Sequence, residues 1–137
     1  MKLWLIRHAA VALPPGLCYG ITDAPARVEP RLNEMDFGRW EMQAWDAIPR
    51  AAFDAWMADF AHHRFGGEEC TQRVIERVAA VVMELHTAGI REAAWVTHAG
   101  VIRGAHYLRA HGPRVIAGVH EWPEHVIEPG ACVELVF

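Results

Sequence analysis

Two short apolar runs, each ending on a histidine, constrain this chain more than any other feature. Leu3 to Ile6 runs directly into Arg7-His8, and Ala93 to Val96 runs through Thr97 into His98. Leu3 to Ile6 lacks the polar alternation of a strand with one wet face, so it reads as a strand covered on both faces, as in a parallel sheet. Ala93 to Thr97 reads as another buried strand. Ligands of open α/β sheets bind beyond the carboxyl ends of such strands, which is where Arg7, His8 and His98 fall. An arginine offers a planar fork of donors matched to phosphate, and a neutral imidazole beside it can act as nucleophile or base. Val101, Ile102, Ala105 and Leu108 then recur at helical spacing up to the stop signal Gly112-Pro113. A helix starting just after His98 turns unpaired N–H groups and its positive end toward the same sheet edge. Taken singly, each of these residues is an ordinary strand end; together they can converge on one anion.

A chain of 137 residues reads as one domain spanning residues 1–137, long enough to bury its own core. The hydrophobic share of 53% and the net charge of −4 exclude a disordered acidic tail and give no basic field for holding nucleic acid. Cys18, Cys70 and Cys132 are odd in number and far apart, which suggests neither a disulfide framework nor a zinc ribbon. The first apolar run is too short for a signal peptide and no stretch approaches a membrane span, so the expectation is a cytoplasmic protein with no membrane partner. Neither a GxGxxG nor a P-loop pattern is present. The histidine pairs His106/His111 and His120/His125 have a spacing that does not align them on a helix face, so no metal and no cofactor are expected.

Between these landmarks, Ala9 to Gly20, with Pro14-Pro15-Gly16, reads as an irregular loop beside the first strand end. Arg31 to Glu41 mixes acids, bases and aromatics without a helical period and reads as a functional loop. From Met42 to Phe60, Trp45, Ile48, Phe53, Trp56 and Phe60 recur at helical spacing as an inward face, in preference to a base- or sugar-stacking platform of tryptophans, and Pro49 splits the segment into two short helices. A further helix is expected from about Glu68 to His86. Val74, Val78, Val81, Val82 and Leu85 form its apolar stripe, Glu68 and Glu69 suit its first turn, and Gly89 ends it. The chain finishes in a strand from Ala131 to Phe137.

Arg7-His8 after a first strand, Leu32-Asn33-Glu34-Met35-Asp36-Phe37-Gly38-Arg39-Trp40-Glu41, the Gly66-Gly67-Glu68 loop and Val96-Thr97-His98-Ala99-Gly100-Val101-Ile102-Arg103 together resemble the histidine phosphatase superfamily, also called phosphoglycerate mutase-like. The motifs occur in that family's order over most of the chain. The Glu34 to Glu41 stretch and Cys18-Tyr19-Gly20 look most like its α-ribazole phosphatase branch, which serves cobalamin synthesis. The resemblance implies a three-layer α/β/α fold with a mostly parallel central sheet. It also implies a phosphomonoesterase working through a phosphohistidine on a small phosphorylated metabolite such as α-ribazole 5′-phosphate. By the same resemblance His8 is the nucleophile and Arg7 holds phosphate oxygens. Glu34 is the general acid, and His98 is both a catalytic donor and a phosphate ligand.

The chain departs from the family pattern in three places. Ala9 stands where a glycine follows the histidine, and Cys70 stands where serine is usual. Between Asp23 and Arg31 the family has a helix, an interior strand with a Ser-Ser-Pro-type motif and a second phosphate-binding arginine, and another helix. Here only Ala24 to Pro30 remain. Removing one transition-state donor costs roughly 10²–10³ in rate, so reduced activity is implied. Arg27 is the candidate to reach the vacant phosphate position, against the plainer reading of a solvated loop residue. An interior strand cannot be lost without exposing unpaired backbone, so the sheet is expected to re-pair or to be completed by a second copy in a homodimer. The alternative to the enzyme is a non-catalytic remnant that binds phosphate or serves in assembly.

Overall fold

Leu3 and Leu5 are fully buried, while Trp4 and Ile6, which alternate with them, are half-covered, so the first strand has one dry and one partly wet face. The structure is a computed structural model and describes residues 1–8 and 28–137. Strand β1 (Lys2–Arg7) is central; it pairs in parallel with β2 (Glu92–Thr97) and antiparallel with β3 (Cys132–Val136). The register sets Leu3, Ala93 and Leu135 in one row and Leu5, Trp95 and Val133 in the next. These rows face the core, and Leu3, Leu5, Trp95 and Leu135 belong to one apolar cluster with residues of the two long helices.

Those helices are α2 (Thr71–Thr87) and α3 (Ala99–His111). Val74, Ile75, Val78 and Val81 of α2 meet Val101, Ile102, Ala105, Tyr107 and Leu108 of α3, all buried. The short helix α1 (Arg50–Ala58) follows a 3₁₀ turn at Trp45–Ala47, with Pro49 at the N-cap position, where the helix asks no N–H of it. Of the three layers implied by resemblance, the described residues build the sheet and its helical cover on one face. On the other, Val96 is 48% exposed, and the Trp4 indole donates to Glu92 Oε1 at 2.7 Å. The expectation that the first strand is covered on both faces is corrected accordingly.

Two further expectations change. Helix α2 starts at Thr71 behind Cys70, so Glu68 and Glu69 precede it and do not occupy its first turn. Gly66 and Gly67 have φ of +87° and +106°, a turn that delays the helix. That turn is held against the Phe37 to Trp40 stretch. Gly66 O accepts from Arg39 N at 3.1 Å, and a Cβ on Gly38 would lie 2.5 Å from the same oxygen. Trp45 is the other correction: its 36% exposure puts it at a rim and not on the buried face expected of it.

Candidate active site

Backbone pairing carries the first strand to its functional end. His8 N donates to Thr97 O at 2.9 Å and Arg7 N to Ala131 O at 2.9 Å, so both side chains emerge where β1 meets β2 and the approach to β3. Arg7 Nη1 donates to the Ile127 carbonyl, which anchors one nitrogen of the guanidinium. On β2, Thr97 is buried and donates to Leu32 O at 2.7 Å, and the next residue, His98, is the N-cap of α3. The His8 and His98 rings meet edge to face with centroids 4.6 Å apart.

Glu34 reaches this point on a loop pinned from several sides. Leu32 is held by Thr97, Arg77 Nη1 donates to Arg31 O at 2.5 Å, and Asp36 N donates to Glu69 Oε2 at 3.0 Å. Arg77 and Glu69 are themselves paired at 2.8 Å, so one ion pair joins α2 to the backbone on both sides of Glu34. The Glu34 carboxylate accepts from Gly100 N through Oε2 and from Met35 N through Oε1, each at 3.0 Å. Gly100, in the first turn of α3, is required there: a Cβ at that position would overlap Oε1 and lie 3.0 Å from Cδ.

Arg7, His8, Glu34 and His98 thus line one cleft of about 380 Å³, in the range of small-molecule sites. The structure brings together these four residues that the sequence singled out; Arg27 lies outside the described residues. Three features of the cleft were not expected, the second of them being the lesser reading of the Met42 to Phe60 tryptophans. Arg103, one turn further along α3, contributes to its lining. Phe37, Trp45, Trp56, Phe60 and Trp122 form its aromatic wall, with Trp56 stacked on Phe60 at 5.6 Å and Phe60 against Trp122 at 5.9 Å. The Arg77–Glu69 support is the third. Helical spacing from Ala99 and Gly100 pointed to Arg103, whereas nothing local pointed to Trp122.

Burial shifts the titration of two groups in the cleft. The His98 pKa is lowered to about 4, chiefly because the ring is removed from water and further by electrostatic repulsion with its neighbours His8, Arg77 and Arg7. His98 is therefore neutral at pH 7. The Glu34 pKa is raised for the same leading reason, against the opposing pull of the Gly100 and Met35 N–H groups and the charges of Arg77 and Arg103. No group of three or more metal-ligating side chains is assembled among the described residues.

Residues 17–115 match the histidine phosphatase superfamily, branch 1. The chain belongs to that superfamily. The match begins beyond Arg7 and His8, but likeness to solved structures takes in that end of the chain as well. The α-ribazole phosphatase of Shigella flexneri is 20% identical, with 98% of this chain and 89% of that one covered at a TM-score of 0.75. A phosphoglycerate mutase of Thermus thermophilus is 23% identical, with 98% and 92% covered at a TM-score of 0.70. At such identities these likenesses establish the phosphoglycerate mutase-like fold, here in a shortened form. No curated protein sequence matches the chain. No helix among the described residues is long and apolar enough to cross a membrane.

Proposed function

We propose that this histidine phosphatase superfamily member is a phosphomonoesterase that passes the phosphoryl group through His8. The carrying observation is that Arg7, His8, Glu34 and His98, drawn from two strand ends and a pinned loop, share one cleft at the start of α3. In the first step an imidazole nitrogen of His8 forms a bond to phosphorus as the bond to the ester oxygen breaks, and Glu34 gives its proton to the departing alkoxide. In the second, Glu34 takes a proton from water as that water attacks phosphorus, releasing inorganic phosphate and restoring His8. Arg7 and His98 donate to the phosphoryl oxygens while charge redistributes over them. The raised pKa of Glu34 suits a group that must first act as an acid.

The alcohol side of the substrate meets the aromatic wall, which favours a small metabolite with a flat apolar group. α-Ribazole 5′-phosphate fits that description, and the likeness to the Shigella flexneri α-ribazole phosphatase supports it. Its turnover would place the chain in cobalamin synthesis. The test is phosphate release from α-ribazole 5′-phosphate and from an aryl phosphate, by the parent and by His8→Ala, in the presence of a chelator. Turnover in the parent alone, with an acid-labile phosphoprotein trapped from labelled substrate, is the expected result. Equal background rates in both proteins would leave the non-catalytic, phosphate-binding reading.

A further inference from the structure

Arg103 carries a feature that the four-residue site does not use. It follows Ala99 and Gly100 by four and three residues, so it lies one turn along the same face of α3, and all three line the cleft. Its Nη2 donates to His125 O at 3.3 Å, but its Nε is buried and has no hydrogen-bond acceptor among the described residues. The large majority of buried side-chain donors in native proteins are paired, so an orphaned guanidinium N–H on a cleft-lining residue leaves a place for an acceptor brought by a ligand. No ion pair joins Arg103 to an acid among the described residues, and that acceptor is best supplied by an anion. The anchoring matches that of Arg7: His125 and Ile127, two residues apart on one segment, each offer a carbonyl to one nitrogen of one cleft arginine.

We propose that Arg103 is a second guanidinium contact for the substrate's phosphate, acting beside Arg7 in the same cleft. The proposal rests on the phosphatase reading only in taking the anion to be a phosphate. Its role is ligand binding, so inorganic phosphate is a sufficient probe. Trp45, Trp56 and Trp122 line the cleft and report binding through tryptophan fluorescence.

In a titration of the full chain with inorganic phosphate, Arg103→Gln is expected to raise Kd about 10- to 100-fold, as the loss of a charged hydrogen bond does. Arg103→Lys should fall between Gln and the parent. Parent-like affinity in a folded Arg103→Gln would overturn the proposal and leave the arginine as a prop for the His125 carbonyl, visible only as a lowered Tm. A second measurement does not depend on that variant folding. In parent protein labelled with ¹⁵N-arginine, the Nε–H resonance missing from Arg103→Lys should shift and gain protection from exchange when phosphate is added. An unmoved resonance at saturating phosphate would reject the proposal while leaving turnover through His8 untouched. A parent that neither binds phosphate nor releases it would remove the phosphatase reading as well.

Discussion

Gly100→Ala separates the placement of Glu34 from the stability of the helix that places it. In an ordinary helix position the change gains about 0.5–1 kcal/mol because glycine is the more flexible unfolded residue. Here the added methyl would overlap Glu34 Oε1 and stand 3.3 Å from Oε2. The obstacle is the far end of a side chain, so the carboxyl group can turn away without moving backbone. That movement breaks the 3.0 Å bond from Gly100 N, and a hydrogen bond to a charged group contributes roughly 1.5–3 kcal/mol. The two effects oppose each other, leaving a net destabilisation of about 0.5–2.5 kcal/mol. Catalysis has no such offset: a misplaced general acid loses roughly 10²–10⁴ in rate. The control is Gly104→Ala on the same helix, where the new Cβ would meet Trp122, Val78 and Val74 at 3.9–4.0 Å, ordinary contact distances. It should stabilise by about 0.5–1 kcal/mol with turnover retained. The assays are thermal melting and kcat/KM on an alkyl phosphate. Parent-like turnover in Gly100→Ala would refute the role given to the Glu34 position, and a collapse in Tm would show that the glycine serves the fold instead.

Three other outcomes follow from the same geometry. Arg77→Met should destabilise by roughly 3 kcal/mol in urea titration, because it leaves Glu69 largely buried and uncompensated, and Arg77→Met/Glu69→Gln should recover part of that loss. Glu34→Gln should slow an alkyl phosphate far more than a nitrophenyl phosphate, whose leaving group needs little protonation; equal losses would remove the acid role. Stability should fall as pH drops from 6.5 toward 4. The unfolded chain takes a proton on His98 near its ordinary pKa of 6.5, whereas the folded site resists until about 4, so this contribution is present above 6.5 and lost below it. His106, whose pKa is also lowered by burial and by His125, adds to the slope. Urea midpoints across that range should flatten in His98→Asn.

The convergence of Arg7, His8 and His98 was legible because strand ends are placed locally. A strand that stops on a histidine places that histidine by the geometry of the sheet, whatever else surrounds it, and both strand ends met as expected. What escaped depends on contacts between distant segments. Trp122 reaches the cleft from beyond α3, and no period in the sequence connects it with Phe60. Glu69 suited a helix start by composition, but the two positive-φ glycines move that start to Thr71, and the acid is taken by Arg77 eight residues later. The unbroken apolar run of the first strand suggested two dry faces, yet α2 and α3 cover the face carrying Leu3 and Leu5, while Trp4 satisfies its indole at the edge through Glu92.

Burial disfavours the charged forms of His98 and Glu34, and the arrival of a phosphate acts on the two differently. A nearby anion favours the cationic form of His98, undoing part of the desolvation that lowers its pKa to about 4. The same anion disfavours ionisation of Glu34, reinforcing the burial that already raises its pKa. Substrate binding would therefore shift both groups toward their protonated forms, the direction that suits a donor to the phosphoryl oxygens and a general acid. In the proposed reaction, the carboxylate left once Glu34 has given its proton to the alcohol would be stabilised by Gly100 N and by the charges of Arg77 and Arg103, in position to accept a proton from water.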